Sequence, residues 1–368
     1  MKNKFLIVFL LSLNICYAQI NSKSESIKDK AFLPAINKAQ KYLDSLQTAQ
    51  NIPGLSVAVG NARGIIWAQG LGFADLESRI PVSIHSRFRI GSVSKSLTSV
   101  ALGRLLENGK FNMDTAIQAY VPQFPLKKYT ITARQLVTHT SGIRHYRNDD
   151  PITCPKRYIS VTEALSIFNQ DSLLFQPGSK YNYSTYGYTL LSAALEGASG
   201  QDYLSLMKTS VFSPLGMTET SPDYSDSLIN NRVRFYELKN GKHVHAGMVD
   251  NSYKWAGGGF LSTPTDLVKL GTELIKHSIL KKETIDILLT TQVLNSGENT
   301  NYAAGWRIGH DDKGRKIIHH GGLIDGGRTF LIVYPENDLV IAVTANISGA
   351  RINLGEMDAI ANCFFSSK

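Results

Sequence analysis

The sequence predicts an α+β protein in which helices flank an antiparallel sheet, with an all-helical lobe inserted between the two sheet-forming ends of the chain. Near the N-terminus, Leu55, Val57 and Val59 alternate with small or polar residues, which is the period of a half-buried strand. Further runs rich in β-branched and aromatic residues lie towards the C-terminus. Helix signals dominate the intervening lobe, at about residues 91–250. We therefore expect one domain at residues 32–368.

The first 18 residues are predicted to be a signal peptide rather than part of the fold. Two lysines precede an apolar run from Phe5 to Leu13, and Cys16-Tyr17-Ala18 offers a cleavage site of small residues. A transmembrane anchor is the alternative, but this run is too short to cross a bilayer comfortably. We expect export to the periplasm or secretion, a polar and disordered lead-in at residues 19–31, and no stable membrane span.

The charge and the cysteines limit the possible functions. The chain has 39 Lys and Arg against 30 Asp and Glu, a formal net charge of +9. Its basic residues are scattered rather than gathered into a stripe with interleaved aromatics, so nucleic-acid binding is not expected.

An oxidising compartment would permit a disulfide between Cys154 and Cys363, but the sequence leaves their distance in space open.

The domain is predicted to begin with a helix packed on a hairpin. The helix is indicated by apolar residues at helical spacing, namely Ile36, Ala39, Leu43 and Leu46. Pro53-Gly54 ends this region, and the first strand follows. A turn at residues 61–64 then leads into a returning strand at Ile65 to Gln69.

The next predicted helix starts at Ser92 and provides the chemistry around which the chain is organised. Its apolar face consists of Val93, Leu97, Val100, Ala101 and Leu105. Asn108-Gly109 is a typical C-terminal stop. Lys95 follows Ser92 by three residues, so the two side chains share a helix face.

Ser92 and Lys95 together can form a nucleophile and its base. A serine hydroxyl is a weak nucleophile until a neighbour accepts its proton, and a lysine accepts it only when neutral. The positive end of the helix dipole and an apolar setting both disfavour the ammonium form. A Ser-x-x-Lys pair also arises by chance, with the serine as a helix cap and the lysine in solvent. The pair alone therefore does not decide the function.

Several further helices are predicted in the lobe after this helix. Thr132 to Gln135 and Ser160 to Glu163 are capping-box patterns, and another helix is predicted from Thr185 to Ala198. The glycine run at Trp255 to Gly259 is interpreted as a turn or close backbone packing. It lacks the Gly-Lys-Ser/Thr ending of a phosphate-binding loop. A helix is also predicted from Thr263, which is a suitable N-cap.

Tyr183 is a candidate second proton-handling group. It follows the Pro177-Gly178 turn and directly precedes a predicted helix. A tyrosine beside cationic Lys95 would have a lowered pKa and could share the role of base. Three more tyrosines crowd the same stretch, so a packing role is equally compatible with the sequence.

The C-terminal strands carry the third element of the candidate site. Strands are predicted at Tyr302 to Ile308, Lys316 to His320, Thr329 to Tyr334 and Leu339 to Thr344, with a closing helix at Met357 to Phe365. His319 and His320 end one strand before a glycine turn. Adjacent strand residues point to opposite faces, so we expect only one of them to face the substrate and metal binding to be the weaker interpretation.

Three motifs in order, Ser92-Val93-Ser94-Lys95, Tyr183-Ser184-Thr185 and His320-Gly321-Gly322, resemble the serine beta-lactamase-like family. This family includes class C beta-lactamases, D-Ala-D-Ala carboxypeptidases and related esterases. The likeness spans nearly all of the chain and is greatest to the LACTB-like branch. It implies the beta-lactamase/transpeptidase-like fold, with no metal and no cofactor.

The resemblance also implies a role for each candidate residue. Ser92 would be the acylated nucleophile, with Lys95 and Tyr183 as its acid–base system. The backbone N–H groups of Ser92 and Leu323 would form the oxyanion hole. The implied substrate-binding residues are Thr185, His320, Gly322 and Leu323.

Two departures from the family pattern bear on the substrate. Thr185 stands where the wider family usually has the Asn that holds the substrate amide, and His320 replaces a lysine. Both changes weaken a beta-lactamase assignment without removing the nucleophile or its base.

We therefore expect an exported serine hydrolase acting on a peptide, an ester or another small molecule. A D-Ala-D-Ala carboxypeptidase or beta-lactamase is the second interpretation, and a self-assembling structural protein with secondary catalysis is the third. The sequence leaves the oligomeric state open.

Overall fold

The computed structural model describes residues 25–147 and 156–365. The predicted signal peptide and Cys154 lie outside these residues. The helices are α1 (Leu33–Ala49), α2 (Ser94–Glu107), α3 (Ala133–Val137), α4 (Val161–Ala164), α5 (Thr185–Ser199), α6 (Tyr203–Met207), α7 (Trp255–Gly258), α8 (Pro264–Lys276), α9 (Lys282–Leu289) and α10 (Leu354–Phe365). The strands are β1 (Ile27–Lys28), β2 (Gly54–Asn61), β3 (Gly64–Asp75), β4 (Ile80–Pro81), β5 (Phe88–Arg89), β6 (Ser221–Pro222), β7 (Tyr236–Lys239), β8 (Lys242–His245), β9 (Phe260–Ser262), β10 (Arg307–His310), β11 (Lys316–Ile324), β12 (Gly327–Tyr334) and β13 (Leu339–Ala345).

The main sheet joins the two ends of the chain, as the sequence predicts. Its path is β1-β3-β2-β13-β12-β11-β10, and β4 adds to β3 to make eight strands. All of its pairings are antiparallel, and β2 meets β13 with Val57 opposite Val343. The predicted α+β class is therefore confirmed.

The side chains of the sheet alternate between two apolar layers. Val57 and Val59 pack with α1 and α10 on one face, whereas Ala58 belongs to the layer that contains α2, α5 and α8. This second layer forms the core beneath the lobe. Among the described residues, none of the helices combines the length and apolarity needed to span a membrane.

Local capping explains where the lobe's helices begin. Thr132 and Gln135 form the predicted reciprocal capping box. Ser160 caps α4, although Glu163 accepts a hydrogen bond from the N–H of Ile159 rather than from that of the cap. Ser184 caps α5, and left-handed Gly200 ends that helix.

Several boundaries differ from the sequence-based expectation. The strand predicted to end at His320 continues to Ile324, so Gly321 and Gly322 lie within β11 rather than in a turn. The lobe is not purely helical, because β9 pairs with β5 and β6, and β7 and β8 form a hairpin. The lead-in is partly ordered, since Ile27–Lys28 adds an edge strand to β3. The strand predicted from Tyr302 begins only at Arg307, because left-handed Gly305 packs against the Lys95 carbonyl.

Candidate active site

Two glycines allow β11 to pack directly against the turn that holds Ser92. This 3-10 turn spans Gly91–Val93 and leads into α2. Gly91 has a φ of 49°, and a Cβ added there would lie 3.0 Å from the Leu323 backbone nitrogen. A Cβ on Gly322 would lie only 2.0 Å from the carbonyl oxygen of Ile90. The absence of side chains thus brings the backbones of Ser92 and Leu323 side by side.

Lys95 is fully buried and its amine contacts Ser92. Its Nζ atom lies 3.2 Å from Ser92 Oγ, 3.4 Å from Thr185 Oγ1 and 2.6 Å from the Gly257 carbonyl oxygen. A neutral amine has two N–H donors and one lone pair. It can therefore donate to Gly257 and Thr185 while accepting the Ser92 hydroxyl proton.

Burial is the main cause that lowers the pKa of Lys95 well below its ordinary value, and repulsion from Lys254 and Arg307 lowers it further. This is the direction expected from the apolar helix start. The lysine is thereby favoured in its neutral form, as a base must be.

Tyr183 is hydrogen-bonded to the Ser92 side chain, and the Lys95 amine lies 4.7 Å from its ring centroid. Burial raises the pKa of Tyr183 above its ordinary value, although the bond to Ser92 acts in the opposite direction. The expectation of a lowered pKa is therefore wrong, because desolvation outweighs the bond to Ser92 and the charge of Arg307. The phenol therefore stays protonated in the resting site.

Two histidines not singled out by the sequence analysis position the Tyr183 segment. His139 Nδ1 accepts the Ser184 N–H at 3.1 Å, and its ring lies 4.2 Å from the Tyr183 ring, centroid to centroid. His145 Nδ1 accepts the Thr185 N–H at 3.2 Å. Burial lowers the pKa of His139 well below its ordinary value, so this imidazole is neutral. The backbone of His139 has a positive φ of 61°, and no signal in the sequence predicts this conformation.

His320 lies on the side of β11 that faces the lobe. Its Nδ1–H donates to the Gly321 carbonyl at 2.7 Å, and Nε2 accepts from the Tyr302 hydroxyl at 2.9 Å. Burial, and to a lesser degree Lys95, lowers the pKa of His320 well below its ordinary value. His320 therefore presents a neutral ring to the site.

His319 points to the opposite face of β11 and stacks on Phe330 with ring centroids 5.3 Å apart. It nevertheless borders the same small cavity as His320. Strand alternation thus separates the two rings without removing His319 from the cavity wall.

Two cavities meet at the nucleophile, and Ser92, Tyr183 and Leu323 border both. The larger cavity has a volume of about 560 Å³ and also contains Thr185 and Lys254 in its wall. The smaller cavity, about 330 Å³, is bordered by both histidines, Arg307 and Arg328. The structure thus brings together every candidate site residue of the sequence analysis except Gly322, which acts beneath the surface by allowing close packing.

An antiparallel sheet with an inserted lobe and a buried Ser-x-x-Lys pair defines the class of serine hydrolases with a beta-lactamase fold. The Beta-lactamase family model matches residues 39–359, so the chain belongs to that family. The resemblance inferred from the three motifs is thereby confirmed.

Similar proteins agree with this placement. The chain is 33% identical to human mitochondrial serine beta-lactamase-like protein LACTB (Homo sapiens), over 83% of this chain and 73% of LACTB. A penicillin-binding protein from Bacillus halodurans superimposes with a TM-score of 0.73 at 27% identity, covering 88% of this chain and 98% of its own. The octameric penicillin-binding protein homologue from Pyrococcus abyssi has a TM-score of 0.78 at 24% identity, covering 90% and 78% of the two chains, and shows a shared fold.

Proposed function

We propose that this protein is an exported hydrolase that cleaves peptides or esters through an acyl-enzyme on Ser92. The observation that carries the proposal is the contact of 3.2 Å between Ser92 Oγ and a lysine amine whose pKa is strongly lowered by burial. Neutral Lys95 accepts the Ser92 proton as Oγ bonds to the substrate carbonyl carbon. The adjacent N–H groups of Ser92 and Leu323 stabilise the oxyanion.

Collapse of the tetrahedral intermediate breaks the bond to the leaving group. Tyr183 protonates that group, and the proton held on Lys95 restores the phenol. Water then attacks the acyl carbon, the same pair accepts its proton, and Ser92 regains its hydroxyl. The proton that Ser92 loses thus departs with the first product, and the proton taken from water restores the Ser92 hydroxyl.

Each of the two cavities is assigned a different part of the substrate. Thr185 corresponds to the family Asn that holds the substrate amide, and it borders the larger cavity. We assign that cavity to the acyl group. The smaller cavity, on the His320 side, receives the leaving group.

A carboxypeptidase is the second candidate, and Arg307 favours it. This guanidinium borders the leaving-group cavity and forms no ion pair with any described residue. It is therefore able to bind the terminal carboxylate of a peptide. Comparing a peptide with its C-terminally amidated form separates the two functions, since only a carboxypeptidase should lose most of its rate on amidation.

The experiment that tests the hydrolase proposal compares kcat/KM for a p-nitrophenyl ester, a small peptide panel and nitrocefin. We expect clear ester or peptide cleavage, abolished in Ser92→Ala, beside weak nitrocefin turnover. Neutral His320 lacks the positive charge of the lysine it replaces, a loss of about 10- to 100-fold in holding a beta-lactam carboxylate at that position. Arg307 offsets this loss only if it binds the substrate carboxylate as the carboxypeptidase candidate requires. Nitrocefin turnover as efficient as that of a dedicated beta-lactamase would contradict this assignment, and absence of all hydrolysis would contradict the proposal itself.

A further inference from the structure

Lys254 is a buried cation for which the described residues provide no hydrogen-bond partner. Lys254 is only 4% exposed, and it borders the larger cavity, as Ser92 does. The nearest aromatic face is that of Tyr253, with Nζ 4.9 Å from the ring centroid. Burying an ammonium without hydrogen bonds is unfavourable, so a ligand that supplies acceptors would be stabilised here.

The neighbouring carboxylates among the described residues form no ion pair with this ammonium. Asp223 is a buried carboxylate whose charge acts on Lys254, but it is already engaged. Arg89 pairs with its Oδ2 at 2.7 Å, Asn251 donates to the same oxygen at 2.8 Å, and Arg232 approaches Oδ1 at 3.5 Å. Asp223 therefore has little capacity left for Lys254.

Asp325 follows β11 and borders the same cavity. Its carboxylate forms no ion pair or hydrogen bond with the described residues, although its charge acts on Lys254. Burial, partly opposed by Asp325, lowers the pKa of Lys254 to about 8, so the lysine remains mostly protonated at pH 7. The cavity thus presents one positive and one negative group that do not pair with each other.

We propose that the larger cavity binds an amino-acid zwitterion on the acyl group of the substrate, with its carboxylate on Lys254 and its ammonium on Asp325. A ligand that is only an anion would be repelled by the negative charge of Asp325. A ligand that is only a cation would be repelled by the positive charge of Lys254. Only a group that carries both charges satisfies both side chains. This inference rests on the proposed hydrolase function, because it specifies the acyl group that reaches Ser92.

Four p-nitroanilides that differ only in the charge of the acyl group test the proposal. The γ-glutamyl group carries both charges, glutaryl carries the carboxylate, 4-aminobutyryl carries the ammonium, and butyryl carries neither. We expect kcat/KM for γ-glutamyl-p-nitroanilide to exceed those of both singly charged analogues by about tenfold or more. Equal values across the set, or a higher value for a singly charged analogue, would overturn the proposal.

Substitutions assign each charge to its partner. In Lys254→Met, kcat/KM for the γ-glutamyl substrate should fall to the value for the 4-aminobutyryl substrate. In Asp325→Asn, it should fall to the value for the glutaryl substrate. Lys313→Met, a change of an exposed lysine in the β10–β11 turn, should keep the wild-type preference. A preference that survives both cavity substitutions would overturn the proposal.

The butyryl substrate and a fluorophosphonate probe separate this proposal from the proposed function. Cleavage of butyryl-p-nitroanilide with labelling of Ser92, but without a zwitterion preference, would overturn the inference alone. Neither cleavage of any substrate nor labelling of Ser92 would overturn both. Probe labelling of each variant also shows that its site is folded.

Discussion

The Lys95 amine and the Ser92 hydroxyl lie 3.2 Å apart in a site where the lysine is completely buried. Tyr183 is hydrogen-bonded to the same serine side chain. One hydroxyl is therefore shared by a base whose pKa burial lowers and a phenol whose pKa burial raises. Opposite pKa shifts give these two neighbours different roles, with Lys95 accepting a proton and Tyr183 donating one.

Lys95 and Tyr183 should behave as one unit in mutant kinetics. Each handles the same proton in turn, and residues of one proton-transfer network give strongly non-additive losses. We expect Lys95→Ala combined with Tyr183→Phe to be scarcely slower than the worse single variant. The measurement is kcat/KM of all three variants on one ester. Losses that add in log rate would instead indicate independent roles.

The charge of Lys254 should influence the pH dependence of the reaction. Lys95 is a base only when unprotonated, so kcat/KM falls as the pH drops through the pKa of Lys95. Burial lowers that pKa most, and repulsion from Lys254 contributes in the same direction. Lys254→Met removes the repulsion, which raises the pKa of Lys95 and moves the acidic limb to higher pH.

The pH–rate profile of a neutral ester measures this shift, with Lys313→Met as the control for loss of a distant exposed lysine. The control should retain the wild-type limb. An acidic limb that stays in place or moves to lower pH in Lys254→Met would show that this charge does not act on Lys95.

The motif residues and the helix that follows Ser92 were predictable, because capping and apolar spacing are local signals. Lys254 was not, since nothing in a short run beside Trp255 indicates that a lysine is buried without a partner. The sign of the Tyr183 pKa shift also depended on tertiary structure. The sequence placed Lys95 beside this tyrosine, but burial favours the neutral form of Lys95 and is also the largest influence on the pKa of Tyr183.

The prediction of a strand beginning at Tyr302 was wrong for a related reason. Tyr302 and Trp306 are buried and aromatic, which is typical of a strand, but both are buried by packing of an irregular segment. Gly305 adopts a φ of 75° where this segment crosses α2. Long-range packing thus determined the conformation of residues whose types favour a strand.

His320 should contribute more to turnover than His319. His320 faces the lobe and contacts Tyr302, whereas His319 stacks on Phe330 on the other face of β11. We expect His320→Ala to reduce kcat/KM more than His319→Ala on the same ester. Because both rings border the leaving-group cavity, a larger loss at His319 would reverse this assignment.

Gly322 should be required for the fold of the site as well as for activity. A Cβ at this position would meet the carbonyl oxygen of Ile90 at 2.0 Å, so the backbone must shift. We expect Gly322→Ala to lower the free energy of unfolding by about 1–3 kcal/mol and to reduce kcat. Denaturant unfolding and ester kinetics measure the two effects.

Gly309→Ala is the matched control for this substitution. Gly309 lies on neighbouring β10, and a Cβ added there would have no heavy atom within 4 Å. It should cost much less stability than Gly322→Ala. Equal effects at the two glycines would argue against a tight contact between β11 and the Ser92 turn.

The central claim is that Ser92 forms the covalent intermediate, and mass spectrometry after reaction with a fluorophosphonate tests it most directly. The account predicts one adduct per chain on the peptide that contains Ser92. The adduct should be absent in Ser92→Ala, at an unchanged melting temperature, and retained in Ser227→Ala, a change at an exposed serine. An adduct on a different residue, or full ester turnover by Ser92→Ala, would contradict the account.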